Sequence, residues 1–165
     1  MKDRPRIQLR LTLSDKIIET IGWALLCITW ILVILFYNRL SDIIPIHYNA
    51  AGVADGFGGK IHLIILSILS SALFIGMTIL NKFPHIFNYP VKITEDNAFA
   101  QYQNMARMIR IVKLVVVLIF GLIVFKTISI AGNQGNEIGS WVFILTIVLV
   151  FVPITFYIVK SFLYR

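Results

Sequence analysis

At 165 residues the chain is about one domain long, and 58% of its residues are apolar while only 14% are charged, against roughly 45–50% and about 25% in soluble proteins. This balance excludes an ordinary water-soluble domain and predicts a single integral membrane domain over residues 1–165, with the lipid bilayer as its main partner. The formal charge of +7 does not indicate nucleic acid: Lys and Arg sit at the ends of apolar runs, not in a stripe interleaved with aromatics, and membrane topology accounts for them.

In chain order, Lys2, Arg4, Arg6 and Arg10 precede a first apolar run from Ile17 to Tyr37. Its 21 residues exceed the roughly 7–15 of a secretory h-region, and no A-x-A pattern follows, so an uncleaved helix is expected. Cys27 stands alone inside this run, which excludes an intrachain disulfide and a cysteine-based metal site. Leu26 fills the preceding position, where a lipoprotein signal needs a small residue. Three further runs, Ile61 to Leu80, Ile109 to Ala131 and Ser140 to Phe162, are each long enough to cross about 30 Å of hydrocarbon as a helix of about 20 residues. Period-two alternation, the mark of a membrane β-barrel, is absent.

The expected fold class is therefore all-α: a four-helix transmembrane bundle with a folded extracytoplasmic loop and a short amphipathic cytoplasmic helix. That helix is placed after FPHIFNYP, lying at the cytoplasmic surface or running straight into the third span, with Thr94 as N-cap, Glu95 and Asp96 in its first turn, and Phe99, Tyr102, Ala106 and Ile109 along one face. Orientation follows from Lys and Arg counts. Lys2, Arg4, Arg6, Arg10 and Lys16 in the N-terminal arm, Lys82, Lys92, Arg107 and Arg110 in the second loop, and Lys160 and Arg165 at the C-terminal end make eleven. Only Arg39 and Lys60 flank the first and third loops. The positive-inside rule then puts both termini in the cytoplasm and the first loop outside. Lys113 and Lys126 fall within the third run, each near one end, so both are expected to snorkel to the interface. Glu19 sits at the edge of the first run and no acidic residue lies deeper, which weakens an ion-coupled transport reading.

The first loop, Ile43 to Lys60, is where chemistry concentrates. It holds four of the ten glycines. Pro45 fixes extended or turn backbone before His47, Asn49 and Gly52 bracket a turn, and Asp55-Gly56 is a hairpin-type turn signal. Tyr48 and Phe57 suit the bilayer interface. His47 with Asp55 has the composition of a general base pair or half a metal site. Ser41 and Asp42 at the margin add no nucleophile or carboxylate within the loop, and His62 gives no standard metal spacing. No metal, cofactor or catalytic residue is therefore expected, and His47 and Asp55 are read first as hydrogen-bonding groups of a folded, ligand-sensing loop.

The run IPIHYNAAGVADGFGGK resembles the signature P-x-H-[WFY]-N-x-x-G-x-x-D-x-[YF]-x-x-K of a bacterial membrane family of undefined biochemical role, which also supplies the N-terminal part of SdpI-type toxin-immunity proteins. Pro45, His47, Tyr48, Asn49, Gly52, Asp55, Gly56, Phe57 and Lys60 occupy matching positions, and FNYPVKIT, Phe87 to Thr94, is similar to a second family feature. Tyr48 and Gly59 are mild departures. The immunity members carry further spans beyond this unit. The resemblance implies residence in a bacterial plasma membrane and, for the immunity members, protection against a secreted peptide toxin.

The expectation is thus a non-enzymatic multi-pass plasma-membrane protein whose outward loop binds or senses a peptide or envelope component. One alternative is a membrane-face enzyme using His47 and Asp55. Another is a small transporter or scaffold subunit, with Ser67, Ser70, Ser71, Gly76 and Gly121 as small residues suited to a homodimer.

Overall fold

The computed structural model describes residues 4–132 and 137–163; Lys2 and Arg165 of the charge count lie outside them. Four long helices dominate: α1 (Leu13–Phe36), α2 (Ile61–Leu80), α3 (Ala98–Ala131) and α4 (Trp141–Leu163). All four are long and apolar enough to cross a membrane, and large apolar side chains such as Ile34, Ile68, Ile144 and Phe151 remain more than half exposed on the outside of the bundle. In water that surface would be untenable; against lipid tails it is solvated. The chain reads as a multi-pass membrane protein.

The central element is α3, against which α1, α2 and α4 all pack. Its 34 residues span about 51 Å at 1.5 Å per residue, well beyond a hydrocarbon core, so one end projects. Of the two placements expected for the amphipathic segment, the structure shows the second: residues 98–131 form one continuous helix that runs into the third span. Thr94 is not its cap. Thr94 and Asn97 exchange backbone-to-side-chain hydrogen bonds in a turn, Thr94 N–H to Asn97 Oδ1 at 2.9 Å and Asn97 N–H to Thr94 Oγ1 at 3.3 Å. The helix starts after Asn97, leaving Glu95 and Asp96 ahead of it. Tyr102 and Ala106 are buried as their spacing predicts, whereas Phe99 is 52% exposed.

Helix α1 begins earlier than its apolar run because Thr12 and Asp15 close a capping box, Asp15 N–H donating to Thr12 Oγ1 and Thr12 N–H to Asp15 Oδ2. The bundle is cross-tied by polar side chains. Trp30 Nε1 donates to Ser71 Oγ at 2.9 Å, Asn81 Nδ2 to the Ala106 carbonyl at 3.0 Å, and Asn104 Nδ2 to the Tyr157 carbonyl at 2.8 Å. Ser67 and Ser70 are buried within the bundle, and a Cβ on Gly121 would lie 2.9 Å from Thr29 Oγ1. These small residues are spent on packing within one chain; at Gly76 nothing lies within 4 Å of an added Cβ.

The loop between α1 and α2 is β structure, so the fold is mostly helical rather than all-α. Strand β1 (Ile43–Tyr48) pairs antiparallel with β2 (Ala54–Gly59). The tight turn lies at Asn49–Gly52, where Gly52 N–H donates to the Asn49 carbonyl at 2.8 Å. Asp55-Gly56 is not the turn: both lie inside β2, Gly56 opposite His47. The register shifts around His47, an irregularity that re-aims side chains as bulges do.

Candidate functional site

The hairpin is held rigidly on the bundle. Asn49 Oδ1 accepts from Ala51 N–H at 3.0 Å and Val53 N–H at 3.1 Å, an Asx arrangement that fixes the turn. Gly52 has φ +82°, and a Cβ there would stand 2.6 Å from the Gly139 backbone. That closeness lets Ile138 N–H donate to the Gly52 carbonyl at 2.8 Å, so the turn is tied to the segment leading into α4. Tyr48 Oη and Thr127 Oγ1, 2.9 Å apart, tie β1 to α3. Burial pushes the Tyr48 phenol above its ordinary 10.0, with the Thr127 hydrogen bond opposing the shift. The hydroxyl therefore stays protonated at any physiological pH. At the other end of the hairpin Lys60 Nζ meets Asp42 at 3.1 Å, donates to the Leu40 carbonyl at 3.4 Å, and lies 5.2 Å from the centre of the Tyr37 ring.

Against this anchored frame, His47 and Asp55 face solvent. Their Nδ1 and Oδ1 atoms are 2.5 Å apart, with side chains 70% and 43% exposed. The pair bridges β1 and β2 at the register shift and leaves the imidazole oriented and open to solvent. Among the described residues no group of three or more His, Cys, Asp or Glu side chains is placed to hold a metal ion; His62 instead turns its Nδ1 to the Gly59 carbonyl at 2.8 Å.

Beneath the hairpin lies a cleft of about 490 Å³, within the range of small-molecule sites. Helices α2 and α4 both pack on α3, and the cleft runs between them, with Leu66 and Leu69 on one wall, Phe143 and Thr146 on the other, and Ile123 on α3 as floor. Strand β1 closes the top, and Pro45, His47 and Tyr48 line it there. The walls are mostly apolar, with Thr146 the polar residue among those named, and His47 and Tyr48 add polar groups at the top, the profile of a site for an amphipathic molecule. Of the signature residues, Pro45, His47 and Tyr48 reach the cleft. Asn49, Gly52 and Lys60 build the hairpin, Asp55 orients His47, Gly56 sits in register opposite it, and Phe57 is 63% exposed on the outer face.

The opposite end of the bundle holds a feature that composition did not reveal. Asp15 and Glu19 on α1 face Arg107, Arg110 and Lys113 on α3. Asp15 Oδ1 meets Arg107 Nε at 3.4 Å and Arg110 Nη1 at 3.2 Å, and Lys113 Nζ donates to Glu19 Oε2 and Thr78 Oγ1, both at 2.6 Å. Lys113 is 1% and Asp15 2% exposed. Snorkelling of Lys113 is thus contradicted: Glu19 lies within reach, and the ammonium turns inward to it. Lys126, by contrast, places its ammonium 5.9 Å from the Trp141 ring centre near the hairpin end. Spacing carried the missing signal, since Asp15 and Glu19 are one turn apart and 107, 110 and 113 recur every three residues, giving opposite charges on two facing helices.

A family described as a domain of unknown function (DUF1648) matches residues 24–70, which include the hairpin. An uncharacterised protein of Archaeoglobus fulgidus is 28% identical over 88 residues, 48% of this chain and 48% of that protein. The chain thus aligns with about half the length of this relative. No solved structure matches. The chain is a multi-pass membrane protein of unknown function, similar through its first helix, hairpin and the start of α2 to DUF1648.

Proposed function

We propose that the protein is a non-enzymatic binding or sensing unit of the bacterial plasma membrane, with its hairpin outside the cell and its termini in the cytoplasm. Its ligand is an amphipathic peptide or envelope component, apolar part in the α2–α4 cleft and polar part at the His47–Asp55 rim. The observation that carries the reading is the junction of an exposed, oriented imidazole–carboxylate pair with an apolar cleft under a rigid hairpin. The resemblance to SdpI-type immunity proteins supports a secreted peptide toxin as that ligand. The orientation is supported by Arg4, Arg6, Arg10, Lys16, Lys82, Lys92 and Lys160, which gather at the end away from the hairpin. Arg107 and Arg110 carry less weight in that count, being ion-paired inside the bundle.

The test is deletion of the gene in the organism that carries it, followed by complementation with His47→Ala, Asn49→Ala and Asp55→Ala variants of verified membrane level. Deletion is expected to sensitise cells to peptides secreted by their siblings, and the His47 and Asp55 variants to restore resistance poorly. Full resistance in all three variants would refute the hairpin as the binding element.

A further inference from the structure

Beside the buried charges at the end away from the hairpin lies a second cavity, of about 600 Å³. On one side it is apolar, with Ile7 and Leu11 of the N-terminal arm and Trp23 of α1; on the other it meets Asn81, Lys82 and Arg110. The charges do not cancel there. Among the described residues Arg107, Arg110 and Lys113 are met by two carboxylates, Asp15 and Glu19, which leaves one positive charge in excess before Lys82 is added. Donor capacity is also unspent. Arg110, 6% exposed, makes no hydrogen bond through Nε, which faces Glu19 Oε1 at 3.5 Å as an ion pair. The exposed Lys82 ammonium has no partner among the described residues. Leu11 and Trp23 are 45% and 44% exposed, apolar surface immediately beside the cations.

Arg110 is paired with Asp15 and Glu19, but the cluster as a whole keeps one positive charge in excess, and intramembrane charge persists where something pairs with it. We propose that this cavity is a phosphate-binding site, in which Arg110 and Lys82 hold the phosphate from two sides. Glu19 lines the same cavity but is already engaged by Lys113, so it does not repel an anion as a free carboxylate would. A free phosphate needs only the cationic side. A lipid phosphate also uses the Leu11 and Trp23 wall, along which its glycerol and first methylenes lie, and the surface favours that source. Arg110 is the buried, fixed donor and Lys82 the flexible one at the mouth, a division suited to a diester whose remaining substituent points to water.

The site is tested on the full chain in detergent, delipidated and then offered phosphatidylglycerol, phosphatidylcholine or inorganic phosphate, with bound lipid read by native mass spectrometry and stability by melting temperature. Phosphatidylglycerol is expected to be retained in preference to phosphatidylcholine, and Lys82→Gln to weaken retention about five- to tenfold, the size of one charge-assisted contact, with its own melting temperature unchanged. If inorganic phosphate raises the melting temperature, loses that effect in Lys82→Gln and displaces phosphatidylglycerol, the site stands with a soluble phosphate as its ligand. Equal retention of both lipids, or phosphatidylglycerol retention indifferent to both Lys82→Gln and Arg110→Lys, would overturn the proposal. These outcomes are independent of the hairpin's role.

Discussion

The two ends of this bundle solve opposite problems with the same kinds of side chain. At the hairpin end an imidazole and a carboxylate meet in the open, 70% and 43% exposed, on a frame whose rigidity comes from backbone turns, the Tyr48–Thr127 hydrogen bond and the Lys60–Asp42 pair. At the other end five charged side chains lie between α1 and α3, Asp15, Arg110 and Lys113 buried and Glu19 and Arg107 half-buried, and Asp15 serves at once in the capping box and as counter-ion. Charges that are buried are bound up with the fold. Charges left exposed on a fixed platform are available for something else, and that contrast is why the functional proposal rests on His47 and Asp55.

The contrast is breakable by mutation, and the largest effect belongs to the buried end. Asp15→Ala takes the closer counter-ion from Arg110 and half of the α1 capping box together, a loss of about 3–5 kcal/mol, read as a large fall in melting temperature of the purified protein; a change no greater than a surface substitution would show the charges to be solvated after all. Glu19→Gln and Lys113→Met, taken singly and together, should be strongly non-additive, with the double variant more stable than the sum of the two losses. Next, Gly52→Ala forces a side chain into positive φ against the Gly139 backbone and should cost about 1–3 kcal/mol, read by the same melts. Tyr48→Phe removes the hydrogen bond to Thr127, about 1 kcal/mol. Because burial raises the Tyr48 phenol in the folded state, its contribution is complete below the ordinary value of 10.0 and is lost as pH rises through the higher folded one. Melts of Tyr48→Phe should therefore fall less steeply than wild type at alkaline pH. Smallest of all, His47→Ala and Asp55→Ala should each change stability by less than about 1 kcal/mol while impairing ligand response.

Much of the architecture was legible in the sequence. The four spans stand out because lipid demands long uninterrupted apolar helices, and Ile61 to Leu80 was placed to the residue. The turn at Asn49 and Gly52 was also readable, because the Asx side chain and positive φ leave a local signature. What escaped was non-local. Asp55-Gly56 looks like a turn until the register shows that the chain has already reversed, and Thr94 looks like a cap until Asn97 takes the position. Lys113 looks solitary because its partner lies 94 positions away on another helix. The cleft was invisible for the same reason: no single segment encodes the space between α2 and α4, which exists only because both pack on α3 beneath the hairpin.

The central claim, that the cleft under the hairpin receives the ligand, is tested most directly by filling it. Ile65 and Leu69 both line the cleft and are 51% and 48% exposed, so replacing both with Trp occupies the space without disturbing the core. The account predicts a variant with wild-type membrane level and melting temperature that fails to restore resistance to sibling-secreted peptides in the deletion strain. Full restoration by that variant, in a strain where deletion does cause sensitivity, would contradict it.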